Sequence, residues 1–115
     1  MQNCPDWLRE YPGAVTICDP QGIILYMNER AVTVLAHGDD SLIGQNLLDC
    51  HPEPARTKLT ELLATQGTNS YTIEKNGIKK LIHQSPWYNN RVFGGLLELS
   101  IEIPREMKHY IRTPK

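Results

Sequence analysis

The sequence predicts an α+β fold in which a five-stranded antiparallel sheet carries its helices on one face. Two short extended segments joined by a tight turn fill residues 14–27, helical patterns follow, and three longer extended segments run on to residue 103. Consecutive strands with short connections pair antiparallel, and a block of helices between them is typical of α+β domains. A chain of 115 residues has the length of one domain. We therefore predict a single domain at 1-115, with its core at about 11-103 and flanking helical segments at 4-11 and 105-112.

The N-terminal element is expected to be a short amphipathic helix. Trp7, Leu8 and Tyr11 recur at the spacing that forms one helical face, and Pro12 and Gly13 end the pattern. A first strand with alternating residues follows.

The first hairpin is predicted from its turn chemistry. Pro20 and Gly22 lie in the sequence Asp-Pro-Gln-Gly, where proline presets a turn angle and glycine accepts backbone angles that other residues resist. The β-branched and aromatic run 23–27 then forms the second strand. Asn28 stands where this run stops, and its side chain is expected to accept a hydrogen bond from the first turn of the next helix.

Two helical patterns lie in the middle of the chain. The first, 29–36, is expected to end at His37-Gly38, since glycine is preferred just past a helix. The second, 53–66, has prolines near its N-terminal end that suit a first turn, carries apolar residues at helical spacing, and is expected to close at Gly67. A short helical turn around residues 47–49 lies between them.

The period of the apolar pattern then changes to two. Asn76-Gly77 is a strong hairpin signal between strands 70–75 and 78–87, and a second turn is expected at 88–91. The last strand alternates between apolar and polar residues from Leu97 to Ile103, so one face is expected to be buried. After Pro104, a short terminal helix is predicted at 105–112.

Charge and cysteine content restrict the partners. The formal net charge is −1, which does not favour nucleic acid or an anionic membrane, because phosphate binding needs a concentrated basic surface. The chain has an odd number of cysteines without Cys-x-x-Cys spacing, namely Cys4, Cys18 and Cys50. Neither a disulfide framework nor a zinc ribbon is therefore indicated. No apolar run is long enough to span a bilayer. We therefore expect a cytoplasmic protein in a reducing compartment.

Taken in order, these motifs resemble the PAS sensory-domain family. The resemblance rests on D-P-Q-G-I-I-L-Y-M-N-E at 19–29, L-I-G-Q-N-L-L-D-C-H-P-E at 42–53, and G-G-L-L-E-L at 94–99. Each motif is weak alone, and their order and spacing carry the similarity. The Cys-His-Pro-Glu segment is most similar to a bacterial subgroup found in transcriptional and signalling regulators. Many relatives end the last strand with Asp-Ile-Thr, whereas this chain has Glu102, Ile103 and Pro104.

The resemblance implies a sensory domain and not an enzyme. In that family the sheet and central helices enclose a pocket for haem, flavin or a small metabolite, and changes there pass through the sheet to flanking helices. Because many relatives dimerise, we also expect a homodimer, and the signal is expected to come through a small ligand or a partner protein, with a separate signalling protein as the target if the chain is complete. If the chain is complete, it carries no output domain of its own; if it is part of a longer protein, that domain lies outside it.

The expected pocket residues are apolar side chains of the strands and central helices, which an ordinary core would also need. They are Ile17, Leu25, Met27, Leu35, Leu47, Leu59, Leu63, Leu97 and Leu99. Two histidines are added as polar candidates. His51 is read first as a loop residue that bonds a helix end, and His83 as a strand residue in the pocket wall.

The motifs expected for haem and flavin are absent. Haem-binding relatives place an axial histidine on the long central helix, and 53–66 contains none. Light-sensing relatives carry an Asn-Cys-Arg-Phe-Leu-Gln motif, which Cys50 and its neighbours do not match. The cofactor is therefore left unknown, and no metal site is predicted.

Two rival functions are kept. One is an interaction or dimerisation module without a ligand, in which Trp7, Tyr11 and Trp87 serve as contacts. The other is a small α+β enzyme built around a single histidine or aspartate, although no nucleophile motif or phosphate loop is present.

Overall fold

The computed structural model describes residues 4–35 and 42–114. Its five strands form one antiparallel sheet in the order β2-β1-β5-β4-β3, which confirms the predicted fold class. The elements are α1 Asp6–Arg9, β1 Ala14–Cys18, β2 Ile24–Met27, α2 Glu29–Leu35, a 3-10 helix Leu47–Cys50, α3 Ala55–Thr65, β3 Asn69–Lys75, β4 Ile78–Asn89 and β5 Val92–Ile103. The predicted helix end at His37-Gly38 lies outside the described residues.

The main core lies between the helices and one face of the sheet. Residues from β1, β2, α2, α3 and β5 pack together there because each element has an apolar side that must leave water. Its buried members are Ala14, Cys18, Ile24, Met27, Ala31, Leu47, Leu59, Leu62 and Leu96. None of the helices in the described ranges is long and apolar enough to cross a bilayer.

Two tight turns join the last three strands. Asn76 and Gly77 have φ values of 53° and 78°, the pattern of the hairpin turn that their sequence predicts. Asn90 and Arg91 have φ values of 50° and 68°, so the second turn uses the same geometry. The long β4–β5 hairpin therefore extends almost to the tip, with Asn89 paired to Val92.

Asn28 connects three elements. Its Oδ1 accepts hydrogen bonds from the N–H of Ala31 at 3.0 Å and of Val15 at 2.9 Å. Its Nδ2 lies 2.8–3.3 Å from three carbonyl oxygens, those of Leu8, Tyr11 and Gly13. The predicted cap on α2 is present, and the same fully buried side chain also ties α2 to β1, to α1 and to the segment between them.

The end of α3 differs from the expectation. Gly67 was predicted to close the helix, but the left-handed residue is Gln66, with φ 57° and ψ 39°. The N–H of Gly67 then bonds the carbonyl of Leu62 at 3.3 Å. The helix therefore ends one residue earlier than the glycine indicated, at a residue that pays a steric cost for the left-handed conformation.

The predicted helix at 105–112 is wrong, because residues 107–114 contain no regular secondary structure. Met107, Tyr110 and Ile111 are all largely exposed, the last by 87%. A helix of eight residues is marginal in water unless one face packs against the rest of the protein. Nothing in the described chain covers this apolar side, so the sequence pattern alone did not produce a helix.

The two faces of β5 are assigned by its neighbours. Leu96 belongs to the helix-side core, and side chains alternate along a strand, so Leu97 and Leu99 point to the opposite face of the sheet. Their partners on β1 are Ile17 and Val15. We call this side, away from α2 and α3, the outer face.

Candidate functional site

A cavity of about 310 Å³ lies between the start of α3 and strands β3 and β4. Sites for small molecules have volumes from roughly 300 to 1,000 Å³ and combine apolar walls with a few polar groups. The lining residues are Pro54, Ala55, Lys58, Leu59, Asn69, Tyr71 and Gln84. Helix α3 supplies the apolar wall, and the two strands supply the polar groups.

A chain of side-chain hydrogen bonds runs from this cavity into the sheet. Asn69 Nδ2 donates to Gln84 Oε1 at 3.0 Å, and Gln84 Nε2 donates to Glu98 Oε2 at 2.9 Å. Gln84 is 4% exposed and Glu98 is 8% exposed. We call Asn69, Gln84 and Glu98 the polar chain. It crosses the strands in order, because Asn69 pairs with Gln84 and Gln84 pairs with Glu98.

The polar chain ends beside a buried hydroxyl. Thr16 is the cross-strand partner of Glu98 on β1, and it is 3% exposed. Within the described residues its Oγ1 is buried without a hydrogen-bond partner. Buried polar groups are nearly always paired, so the helix-side surface of the central strands is unusually polar for a core.

The charge of Glu98 reaches two neighbours. Partial burial raises the pKa of Tyr71, and the negative charge of Glu98 adds to that effect. Burial also raises the pKa of the Cys18 thiol to about 11, with Asp19 and Glu98 adding and a backbone hydrogen bond at Leu96 opposing. Both effects indicate that the surroundings of Glu98 disfavour further negative charge.

We expect Cys18 to react much more slowly than Cys50 with a thiol reagent such as DTNB at pH 8. Cys18 is 1% exposed, whereas Cys50 is exposed. A pKa of about 11 in place of 9.0 also leaves roughly a hundredfold less thiolate. Mass spectrometry of the labelled peptides measures both rates in one sample, and equal rates would contradict the described burial.

The pKa of the Cys18 thiol is higher in the folded chain than in the unfolded chain. Burial of this thiol therefore stabilises the fold below pH 9, and the contribution is lost as the pH rises toward 11.

Only part of the predicted pocket set lies on the helix side. Leu59 lines the cavity. Met27 and Leu47 are buried in the adjoining core, and Leu63 packs against it without lining the cavity. Leu35 is 38% exposed at the end of α2, so its predicted position facing a pocket is wrong.

Leu25 is displaced by an irregularity in the first hairpin. Cys18 pairs with Ile24 while Ile17 pairs with Tyr26, so Leu25 is an extra residue in β2. A bulge of this kind changes which side chains point inward. Ile24 and Met27 are buried instead, and Leu25 is only half-buried.

The predicted inward orientation of Leu97, Leu99, Ile17 and His83 is also wrong. His83 pairs with Leu99, so both lie on the outer face with Leu97 and Ile17. A strict alternation reveals two faces but not which one the helices cover. Glu98 lies on the face that the alternation predicts to meet water or a partner, but the structure buries it, and no sequence signal marked this face as the covered one.

Neither histidine is placed to bind haem iron in the cavity. His83 lies on the outer face, and its Nδ1 is 2.6 Å from Ser70 Oγ. His51 precedes α3, where its Nδ1 lies 2.9 Å from the carbonyl oxygen of Leu47. His51 therefore takes the helix-end role that the sequence favoured. The described residues contain no group of three or more His, Cys, Asp or Glu able to hold a metal.

Other depressions are lined by described residues elsewhere on the protein. One, of about 840 Å³, is bounded by the edge strand β3 and by Arg105 and Glu106, where Arg105 Nε lies 3.6 Å from Glu74. A second, of about 460 Å³, lies beside Tyr11 and Glu102, and a third, of about 540 Å³, beside Tyr26 and α2. Of the cavities described here, only the one under α3 adjoins the polar chain.

Comparison with known proteins finds a matching family model and several similar solved structures. A family model described as PAS fold matches residues 8–69, just over half of the chain. No curated protein matches. Among solved structures, the PAS domain of Bordetella pertussis BvgS has 14% identity and a TM-score of 0.64, with 87% of this chain and 86% of that chain covered.

Two further structures are similar. A sensory box sensor histidine kinase from Vibrio cholerae has 14% identity and a TM-score of 0.63, covering 86% of this chain and 88% of that one. The structure described as VqmA bound to DPO has 10% identity and a TM-score of 0.66, covering 87% of this chain and 56% of that one. At these identities the likeness concerns the fold.

Proposed function

The chain belongs to the PAS family, and on that premise we propose that it is a sensory signalling domain whose small-molecule signal occupies the cavity under α3. The observation that carries the proposal is the cavity of about 310 Å³ with the polar chain at its inner wall. Apolar walls supply affinity and a few fixed polar groups supply specificity. One similar solved structure is described as bound to DPO, which supports a ligand-binding role for the fold.

The same polar chain offers a route for the signal. Gln84 lines the cavity and bonds Glu98 on β5, and the residues on either side of Glu98 are the outer-face Leu97 and Leu99. A ligand that binds two packings of this region unequally shifts the population between them. A shift of β5 would then change the outer face, where a partner could detect it.

The binding proposal is tested by filling the cavity. Ala55 lines it from α3, so Ala55→Phe should occupy the space without removing a core contact. Ala64→Phe is the matched control, because Ala64 is an exposed residue of the same helix outside the lining. The probes are bicyclic aromatic compounds such as indole and quinoline, titrated into the ¹⁵N-labelled chain while ¹H–¹⁵N spectra are recorded.

We expect probe-induced shifts at Asn69, Tyr71 and Gln84 in the unaltered chain and in Ala64→Phe. In Ala55→Phe these shifts should fall at least about tenfold at equal probe concentration, since the phenyl ring takes the ligand's place. Binding that survives Ala55→Phe unchanged, or no shifts in any form of the chain, would contradict the proposal. Shifts that extend to Leu97 and Leu99 would support the route through β5.

Haem and flavin are tested separately by absorbance. Both absorb visible light, and the chain lacks the motifs that family members use for them. We propose a colourless metabolite, so the purified chain should show no cofactor band between about 350 and 500 nm. A band there that remains after dialysis would favour one of the coloured cofactors.

A second candidate function is dimerisation without a ligand, and the outer face favours it. Leu97, Leu99 and Ile101 form an apolar row there that is only half-buried within one chain. A second copy is the occupant that we propose, and light scattering tests it. The expected mass is two chains for the unaltered protein and one chain for Leu99→Lys, because a buried lysine without a partner opposes association. A single-chain mass for the unaltered protein would overturn the dimer.

The wider setting is also proposed and not shown. The Cys-His-Pro-Glu segment before α3 favours a bacterial regulator of transcription or signalling, located in the cytoplasm and acting on a separate signalling protein. The net charge of −1 favours neither nucleic acid nor membrane as its direct contact.

A further inference from the structure

The direction of each hydrogen bond in the polar chain can be derived from its buried end. A carboxylate has no proton to donate, so Glu98 can only accept. Gln84 must therefore turn its Nε2 toward Glu98, at 2.9 Å, which leaves its Oε1 facing Asn69. Asn69 in turn donates its Nδ2 to that oxygen at 3.0 Å. The orientation of both amides follows from one residue deep in the sheet.

This order of donors and acceptors determines which atom of Asn69 is available to a ligand. With Nδ2 committed to Gln84, the Oδ1 of Asn69 carries no hydrogen bond among the described residues, and Asn69 lines the cavity. An amide oxygen has two lone pairs, so this group accepts.

The charges around the cavity also favour a ligand that donates a hydrogen bond. Within the described ranges no cation forms an ion pair with Glu98, whose carboxylate is 8% exposed. The cation in the cavity wall, Lys58, has its Nζ 3.9 Å from Glu61 on the solvent side of α3. Negative charge inside a protein favours donors and positive charge nearby.

We infer that the ligand of this cavity presents a hydrogen-bond donor, N–H or O–H, to Asn69, and that buried Glu98 sets this preference through Gln84. The inference rests on the proposed ligand-binding function and adds the chemical class of the ligand. Glu98 acts through Gln84 and Asn69, so it is a positioning residue and not a ligand contact. An acceptor group in the same place would face an oxygen, with no hydrogen bond between them.

Indole and benzofuran test the inference, because they share shape and size and differ in N–H against ring oxygen. Dissociation constants come from ¹H–¹⁵N titrations that follow the side-chain amides of Asn69 and Gln84. We expect indole to bind about fivefold to tenfold more tightly than benzofuran, which corresponds to one net hydrogen bond. Equal affinities, or tighter binding of benzofuran, with shifts at these amides would overturn the inference and leave the binding function standing. No shifts with either probe would remove both.

Glu98→Gln tests the positioning role. A glutamine there can donate as well as accept, so the two amides are free to turn over and the preference for indole should fall below about twofold. Asn69→Ala should abolish the preference and leave benzofuran binding nearly unchanged, and Ser70→Ala, one residue further along β3 on the outer face, should retain it. A preference that persists in Glu98→Gln would contradict the positioning role. If that variant does not fold, Asn69→Ala against Ser70→Ala still decides whether Asn69 carries the preference for indole, which the inference requires.

Discussion

Replacing Asn28 by alanine is expected to lower the free energy of unfolding by about 3–5 kcal/mol, since it leaves several buried backbone groups without partners. The side chain serves two N–H groups and three carbonyl oxygens and is fully buried. Domains of this size are stable by only about 5–15 kcal/mol. Urea unfolding followed by circular dichroism measures the loss.

Two further variants separate the roles of this side chain. Asn28→Asp keeps the acceptor for Val15 and Ala31 but turns an oxygen toward the three carbonyls, so it should be at least as destabilising as alanine. Asn46→Ala is the control, because Asn46 caps the 3-10 helix through Leu48 N–H in a more exposed place and should cost only about 1 kcal/mol. A loss at Asn28→Ala no larger than at Asn46→Ala would contradict the connecting role.

Gly95→Ala is expected to be similarly severe, at about 3–5 kcal/mol, from strained backbone and overpacking together. Gly95 has φ 133°, and a Cβ built there would lie 1.9 Å from the carbonyl oxygen of Cys18. That oxygen also accepts the hydrogen bond of Trp87 Nε1 at 2.9 Å. A methyl group would have to separate β5 from β1 at the carbonyl that Trp87 of β4 also bonds.

Gly77→Ala is the matched control for this position. Gly77 also has a positive φ, 78°, but nothing lies within 4 Å of a Cβ built there. It should therefore show the conformational cost alone, about 1 kcal/mol. Thermal or urea unfolding of both variants gives the difference, which is the steric part. Losses within about 1 kcal/mol of each other would mean that β1 and β5 lie further apart than described.

The features of the fold that could be predicted from sequence are those fixed by local chemistry. Asn76-Gly77 adopts the turn that its residues favour, and Asn28 caps α2 from the position where the strand pattern stops. The helix predicted at 53–66 is present as Ala55–Thr65. Each depends on a few neighbouring residues. The terminal helix failed for the converse reason, since its apolar side needed a tertiary contact that the pattern does not encode.

The site was harder to predict because it depends on which face of the sheet is covered. The alternation of Leu97, Leu99, Ile101 and Ile103 is real, but it marks the outer face. The alternation predicts that the polar residues between them meet water or a partner, but Glu98 is buried and accepts a hydrogen bond from Gln84. A shift of one residue in the assignment moves every side chain of the strand to the opposite face of the sheet. Knowledge that Gln84 and Glu98 are cross-strand partners would have been needed, and only the three-dimensional pairing supplies it.

The position of β3 at the border of the sheet affects how the chain behaves when concentrated. Among the described residues, one side of this seven-residue strand has no neighbour in the sheet, and backbone groups on such an edge can pair with another molecule. Its first five residues, 69–73, include no charged side chain, whereas Glu74 and Lys75 follow. Self-association into extended aggregates should therefore begin at the uncharged end of this strand, which β4 separates from the apolar row on β5.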